Sequence, residues 1–189
     1  MRIIKNKQDK RFLNTEHKIN QAFIAFLHRG EQRIYIQDLC QEAQIFMSTF
    51  YDHYPNISVV LETIEHNLQR EFLKYITTAI STDIILQRLL IFICKHHDYF
   101  VMAGEKHNYH WFTSVLNTLK PKLIGSWRPR AQGTIDRWFQ MLCGEIIATL
   151  NTWYQQSNFD IQNAPVIQRR LKKLITTAEF RFRQLDNMK

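Results

Sequence analysis

The sequence predicts an all-α protein, and three observations support this prediction. Gly and Pro, which interrupt helices, number only 5 and 4 in 189 residues. Apolar residues recur at spacings of three and four along most of the chain, which is the period of an amphipathic helix. No segment has the pattern of a convincing strand, and no internal repeat is present. A hydrophobic content of 45%, with 13% aromatic residues, indicates a globular protein rather than a disordered one.

The N-terminal segment combines a basic stretch with a first helix. Residues 1–14 carry five Lys and Arg side chains against the single Asp9, and this composition predicts a flexible basic arm. Thr15 is a good N-cap for a first helix, and Gly30 is suited to end it. The apolar stripe of that helix consists of Ile19, Ala22, Phe23, Phe26 and Leu27.

Two short helices follow the first one. The spacing predicts a helix over residues 38–43, with Leu39, Cys40 and Ala43 inward, and another over residues 48–54 that ends before Pro55. A break at Gln44-Ile45 separates them. Two short helices joined by such a break match the helix-turn-helix pattern, so we predict a helix-turn-helix domain over residues 15–56.

The remainder of the chain, residues 57–189, is predicted to form a second helical domain. A long amphipathic helix over residues 57–80 opens it, and its apolar stripe consists of Val60, Leu61, Ile64, Leu68, Phe72 and Ile76. Asp83 is a candidate N-cap for the next helix, which extends to about residue 100, and Pro165 suits the first turn of the last one. Further helices are predicted over residues 109–119, 134–154 and 165–183, with a basic loop over residues 121–133.

Charge and cysteine content restrict the class of protein. The formal net charge of +8 makes an anionic partner plausible without locating where it binds. Cys40, Cys94 and Cys143 are odd in number and form no C-x-x-C pair, which is typical of a reducing compartment. The longest apolar run, residues 89–94, is too short to span a bilayer, so we expect a cytoplasmic protein without a membrane partner.

The segment from Thr15 to Leu61 resembles the DNA-binding region of TetR/AcrR-family transcriptional regulators. Its most specific part is the string Ser48-Thr49-Phe50-Tyr51-Asp52-His53-Tyr54. The resemblance implies a TetR-like fold, in which a three-helix head binds an operator in double-stranded DNA and a helical body binds an effector and dimerises. A fainter similarity, from Gly144 through Trp153, points to the branch related to dihydroxyacetone-kinase operon activators.

The resemblance also assigns roles to residues of the head. It implies that Phe50 and Tyr54 pack the third helix onto the first two, where Leu39 and Ala43 complete the core. The side chains left toward the DNA are Met47, Ser48, Thr49, Tyr51 and His53. On charge and spacing alone these five would equally fit a solvated helix face.

The head departs from the family pattern at four places. Gln44 stands where the family has Gly in the turn, Phe46 stands at the N-cap, Met47 replaces a common Arg or Lys, and residues 55–58 lack basic side chains. Electrostatic anchoring to phosphates is therefore expected to be weak unless the N-terminal arm supplies it. These departures motivate an alternative function, in which the head is degenerate and serves as a protein-docking module.

The body is rich in aromatic residues, and the resemblance implies that some of them face a cavity for a mainly apolar or amphipathic small-molecule effector. The candidates are Phe100, Trp111, Phe112, Trp138 and Phe139. Plain core packing would explain the same residues equally well. The last two helices are expected to pair with those of a second copy as a four-helix bundle, which makes the protein a homodimer.

Enzymatic and metal-dependent functions are not favoured. The chain lacks H-E-x-x-H, G-x-S-x-G and Walker motifs, so we expect no catalytic residues and no cofactor. Histidines near residues 96–98 and 105–110 have usable ligand spacings. Eight histidines in a basic chain also cluster by chance, and no metal site is predicted.

Overall fold

A computed structural model of the chain describes residues 10–31, 33–79, 81–124 and 132–187. Every regular element in those ranges is helical, which confirms the all-α prediction. The elements are α1 (Lys10–His28), α2 (Ile36–Glu42), α3 (Met47–His53), α4 (Ser58–Tyr75), α5 (Thr82–Lys95), α6 (His97–Glu105), α7 (His110–Ile124), α8 (Gln132–Ser157), a single 3-10 turn (Ile161–Asn163) and α9 (Ala164–Asn187).

The chain forms two compact units, which divide between Leu68 and Gln69 rather than after residue 56. The first unit extends further because the initial half of α4 belongs to its core, where Val60 and Ile64 are buried. The Asn67 amide Nδ2 also donates a hydrogen bond to Glu16 Oε1 of α1 at 3.0 Å. The remainder of α4, from Gln69 onward, is part of the second unit.

The first helix begins earlier than its sequence predicts. Residues 10–14 are helical, and the Thr15 hydroxyl, instead of capping the helix, donates a hydrogen bond to the Arg11 carbonyl one turn back at 3.0 Å. This corrects the predicted arm over residues 1–14, of which residues 1–9 lie outside the described part of the chain. The end of the helix agrees with the prediction, because Gly30 follows His28 with a φ of +78°, a conformation that favours glycine.

The second unit differs from the prediction by one additional helix and at several helix ends. The single helix predicted from Asp83 to about residue 100 is divided at His96 into α5 and α6. Ser81 rather than Asp83 caps α5, since its hydroxyl accepts a hydrogen bond from the Ile84 backbone N–H at 3.4 Å. Pro121 is part of α7, in the last turn of that helix, although it has no N–H to donate to the preceding turn. The predicted loop over residues 121–133 is therefore shorter at both ends, and residues 125–131 lie outside the described ranges.

The helices α8 and α9 pack against each other, and α9 also packs against α5. A tight turn connects α8 to the 3-10 turn, with Asn158 and Phe159 at φ values of +48° and +58°. The buried Trp153 indole closes this connection by donating from Nε1 to the Asp160 carbonyl at 3.1 Å. Among the helices that the structure describes, none combines the length and the apolar character that a membrane span requires.

A glycine allows α6 and α8 to approach closely. A Cβ atom built on Gly104 would lie 2.8 Å from Tyr154 Cδ1, too close for any real contact. We therefore expect Gly104→Ala to lower the free energy of unfolding by about 1–3 kcal/mol, measured by chemical denaturation, because the tyrosine ring must move.

The matched control for this substitution is Gly144→Ala in the middle of α8. Within the described residues, no atom lies within 4 Å of a Cβ built at that position. Helix propensity alone then predicts a gain of about 0.5–1 kcal/mol. Equal effects of the two substitutions would contradict the close approach at Gly104.

Candidate nucleic-acid interface

Two short helices and the turn between them form the candidate site in the first unit. The helix α2 packs against both α1 and α3, and residues 43–46 connect α2 to α3. Both helices were predicted, and their observed ends lie within two residues of the expected ones. This arrangement positions α3 on the outside of a three-helix head.

The turn contains a strained backbone position. Gln44 has a φ of +54°, in the left-handed region that side-chain-bearing residues adopt only at a cost. Its N–H donates to the Gln41 carbonyl at 3.1 Å, and the Ile45 N–H donates to the Cys40 carbonyl at 2.9 Å. These bonds close the turn and fix the direction in which the chain enters α3.

The inner face of α3 is held by two aromatic side chains, Phe50 and Tyr54, which are both buried, as are Leu39 and Ala43. The Tyr54 hydroxyl donates a hydrogen bond to Asn20 Oδ1 of α1 at 2.8 Å. Burial, with a smaller effect of the Glu16 carboxylate, raises the pKa of Tyr54 and keeps the phenol protonated as a donor. The packing and this bond fix the rotation of α3 about its axis.

The five side chains expected to face DNA differ in their exposure. Met47 and Tyr51 are 46% and 47% exposed, and Ser48 is also exposed. Thr49 and His53 are half-buried. The His53 ring stacks on the Phe12 ring of α1, with centroids 3.8 Å apart, so its position depends on α1.

Sequence reasoning missed two exposed aromatic residues beside this surface. Phe46, the N-cap of α3, is 82% exposed, and Tyr35, the N-cap of α2, is 61% exposed. Helical spacing would place Phe46 next to Phe50, on the buried face. The backbone at Phe46 is extended instead, with φ −81° and ψ 151°, so its ring projects away from that face. Ser48, a possible cap of a later-starting helix, lies inside α3.

The charge of this surface is negative, because α2 and α3 contain Asp38, Glu42 and Asp52. No Lys or Arg occurs between Arg33 and Arg70, a span that contains all of α2 and α3. The Arg29 guanidinium lies 3.3 Å from Glu31 and 3.5 Å from Glu42, so acidic neighbours offset its charge. The helix α1 contains the basic residues Lys10, Arg11 and Lys18. Residues 1–9, which carry Arg2, Lys5 and Lys7 against Asp9, lie outside the described ranges.

In the second unit, three of the five aromatic residues proposed for an effector pocket come together. The Phe100 ring lies 4.9 Å from that of Trp111 and 5.2 Å from that of Phe112, with Phe72 and Phe92 also against Trp111. The Trp111 indole is buried, and its Nε1 has no hydrogen-bond acceptor among the described residues. A buried donor of this kind costs about 1–3 kcal/mol unless an acceptor reaches it.

The other two pocket candidates have different surroundings. Phe139 is buried, with the Lys120 ammonium 5.3 Å from its ring centroid. Trp138 lines a groove of about 470 Å³ between α8 and α9. Apolar and basic side chains share this groove, among them Met141, Leu174, Arg170 and Lys173.

The histidines near α5 and α6 do not converge with other ligands in the described residues, where no group of three or more His, Cys, Asp and Glu side chains could hold a metal ion. His96 instead bonds the Glu71 carboxylate at 3.2 Å, beside Lys95 at 2.7 Å. Burial lowers the pKa of His96, and Glu71 only partly opposes this effect.

The described residues thus define an all-α protein with two short helices, joined by a turn, on the surface of its first unit. Comparison of this chain with protein-family models, with curated proteins and with solved structures finds no match.

The strain at the turn makes a testable prediction. Gln44→Gly should raise the free energy of unfolding by about 1 kcal/mol, because glycine adopts a positive φ without a Cβ clash. The same change at Gln41, inside α2, should instead lower it by about 1 kcal/mol. Urea denaturation of both variants checks the pair, and a destabilised Gln44→Gly would contradict the left-handed turn.

Proposed function

We propose that this chain is a DNA-binding transcriptional regulator of the TetR type, controlled by a small-molecule effector. The observation that carries the proposal is the α2–turn–α3 arrangement, in which Phe50 and Tyr54 are buried while Met47 and Tyr51 are exposed. In helix-turn-helix proteins the second helix enters the major groove, with its N-terminal residues at the base edges. The family resemblance over residues 15–61 supports the same function.

Each of the five α3 residues expected to face DNA has a chemical role in this proposal. Met47 and Ser48, in the first turn of the helix, reach base edges, and Thr49 supports them from the flank. The Tyr51 hydroxyl donates to a backbone phosphate, because it lies one turn further from the groove floor. His53, stacked on Phe12, donates a ring N–H to a neighbouring phosphate.

In this proposal the second unit binds the effector and so regulates DNA binding. The aromatic cluster around Trp111 suits an apolar or amphipathic effector, and an acceptor on that molecule would satisfy the buried indole N–H. The helix α4 contains residues of both units. If the effector shifts α4, the fraction of dimers changes in which the two α3 helices fit adjacent half-sites on DNA.

The dimer is proposed to form through α8 and α9. The groove between them and the exposed apolar side chains Met141 and Val166 would be covered by the same helices of a second copy. Glu145 lies on the groove with Arg170, Lys173 and Arg181, so the surface carries both signs of charge and can be complementary to itself.

A second candidate function is a protein-docking module. The absence of Lys and Arg between residues 33 and 70, together with the exposed Phe46, favours it. DNA binding releases counterions and so weakens steeply with salt, whereas docking through an apolar surface does not. The salt dependence of binding therefore separates the two functions.

Substitutions on opposite faces of α3 test the proposed function. Tyr51→Ala should weaken binding to a duplex selected from a random library by about 1–3 kcal/mol, with the melting temperature unchanged. Phe50→Ala removes core packing, so it should also lower stability by about 3–5 kcal/mol. Fluorescence anisotropy at several salt concentrations, alongside thermal melts, provides both measurements.

The control for Tyr51→Ala is Tyr75→Ala, a similarly exposed tyrosine in the second unit. This variant should bind the selected duplex like the unmodified chain. Unchanged affinity in both Tyr51→Ala and His53→Ala, with the chain folded, would exclude α3 as the DNA-contacting helix. Failure to enrich any duplex would favour the docking module.

The proposed dimer makes a separate prediction. Met141→Arg should convert the protein from a dimer into a monomer at micromolar concentration, because it places a charge on the apolar part of the α8–α9 surface. Ile91→Arg, at an exposed apolar position of α5, should leave the dimer intact. Light scattering measures both, and a monomeric unmodified chain would contradict the proposal.

A further inference from the structure

The leading edge of α3 is apolar. We define this edge as Phe46, Met47 and Tyr51, which are 82%, 46% and 47% exposed. Met47 and Tyr51 are four residues apart and lie on one face of the helix, and Phe46 directly precedes that face. Large apolar side chains grouped on a surface mark a place of interaction, since their exposure to water is unfavourable.

The chemistry of the edge restricts what it can recognise. The Phe46 side chain has no hydrogen-bonding atom, and the Met47 sulfur is only a weak acceptor. In the major groove every base pair presents donors and acceptors, but only thymine presents an apolar group, its C5-methyl. Apolar side chains at the entry of a recognition helix are therefore complementary to thymine.

Among the polar residues of α2, the turn and α3, the carboxylates Asp38, Glu42 and Asp52 match the cytosine amino group, whereas the lack of Lys and Arg and the presence of glutamines favour the A·T pair. Guanine is most often recognised by Arg or Lys, and neither occurs between residues 33 and 70. Exposed glutamines do occur there, at Gln37, Gln41 and Gln44. Glutamine amides match the donor and acceptor of adenine, the partner of thymine.

We propose that the head selects A·T base pairs in its half-sites through contact of thymine C5-methyl groups with Phe46 and Met47. This inference rests on the proposed DNA-binding function and specifies the chemistry that it recognises. Sequence discrimination then comes from apolar contact, while the basic residues of α1 and residues 1–9 contribute only sequence-independent attraction.

Replacement of thymine by deoxyuridine tests the inference, since deoxyuridine lacks only the methyl group and keeps the base-pairing edge. The full-length chain is used to select duplexes from a random library, and each thymine of the enriched half-site is then replaced in turn. At one or two positions per half-site, affinity measured by anisotropy should fall about three- to tenfold.

Two variants test whether the preference for thymine over deoxyuridine depends on the apolar edge. Phe46→Ser should bind thymine and deoxyuridine duplexes almost equally at one of those positions. Its melting temperature should not fall, because the ring is largely exposed and Ser is a good N-cap for α3. Tyr35→Ser removes another exposed aromatic ring of the same unit, outside α3, and should retain the full preference for thymine. Loss of the preference in Tyr35→Ser but not in Phe46→Ser would overturn the assignment.

The outcomes also separate this inference from the function on which it rests. Enrichment of a duplex that shows no deoxyuridine effect at any position, or of a half-site without thymine, overturns the inference and leaves DNA binding intact. Failure to enrich any duplex overturns both, and binding of the edge to a protein partner then takes their place.

Discussion

The burial of two aromatic rings on α3 determines the geometry of the first unit. Phe50 and Tyr54 are one helical turn apart, and both are removed from water, with Tyr54 bonded to Asn20 of α1. Once these rings are inside, the residues on the other side of the helix have to face solvent. The position of every candidate contact on α3 follows from this packing, and the turn at Gln44 has a left-handed conformation because the chain must enter the helix at that angle.

The helices themselves could be predicted from apolar periodicity, but their ends could not. Residues 10–14 belong to the first helix, where Phe12 stacks on His53, a contact between residues 41 positions apart that no local pattern contains. Ser81 and Asp83 are equally good caps by residue type, and only the observed hydrogen bond distinguishes them. Pro121 shows the same limit, since residue type predicts that α7 ends before the proline, whereas the helix includes it.

The exposure of the candidate site residues could be predicted inside α3, where helical spacing applies, but not at the N-cap that precedes it. Positions 47 and 51 follow from the burial of 50 and 54, whereas Phe46 is exposed because its backbone leaves the helical region. The grouping of aromatic residues in the second unit depends on contacts between α4, α5, α6 and α7. Periodicity could not predict that Trp138 lines a groove or that the Lys120 ammonium lies near the Phe139 ring, because both contacts depend on the tertiary structure.

The distribution of indole rings has a spectroscopic consequence. All four tryptophans of the chain, including the hydrogen-bonded Trp153 and the aromatic-packed Trp111, follow residue 68, so the first unit contains none. Excitation at the red edge of the indole band therefore reports only on the second unit. Tyrosine emission arises from both units, because Tyr35, Tyr51 and Tyr54 belong to the first and the other four tyrosines to the second. The chain therefore carries its own optical probe for the second unit, with which the unfolding of that unit can be followed without any label.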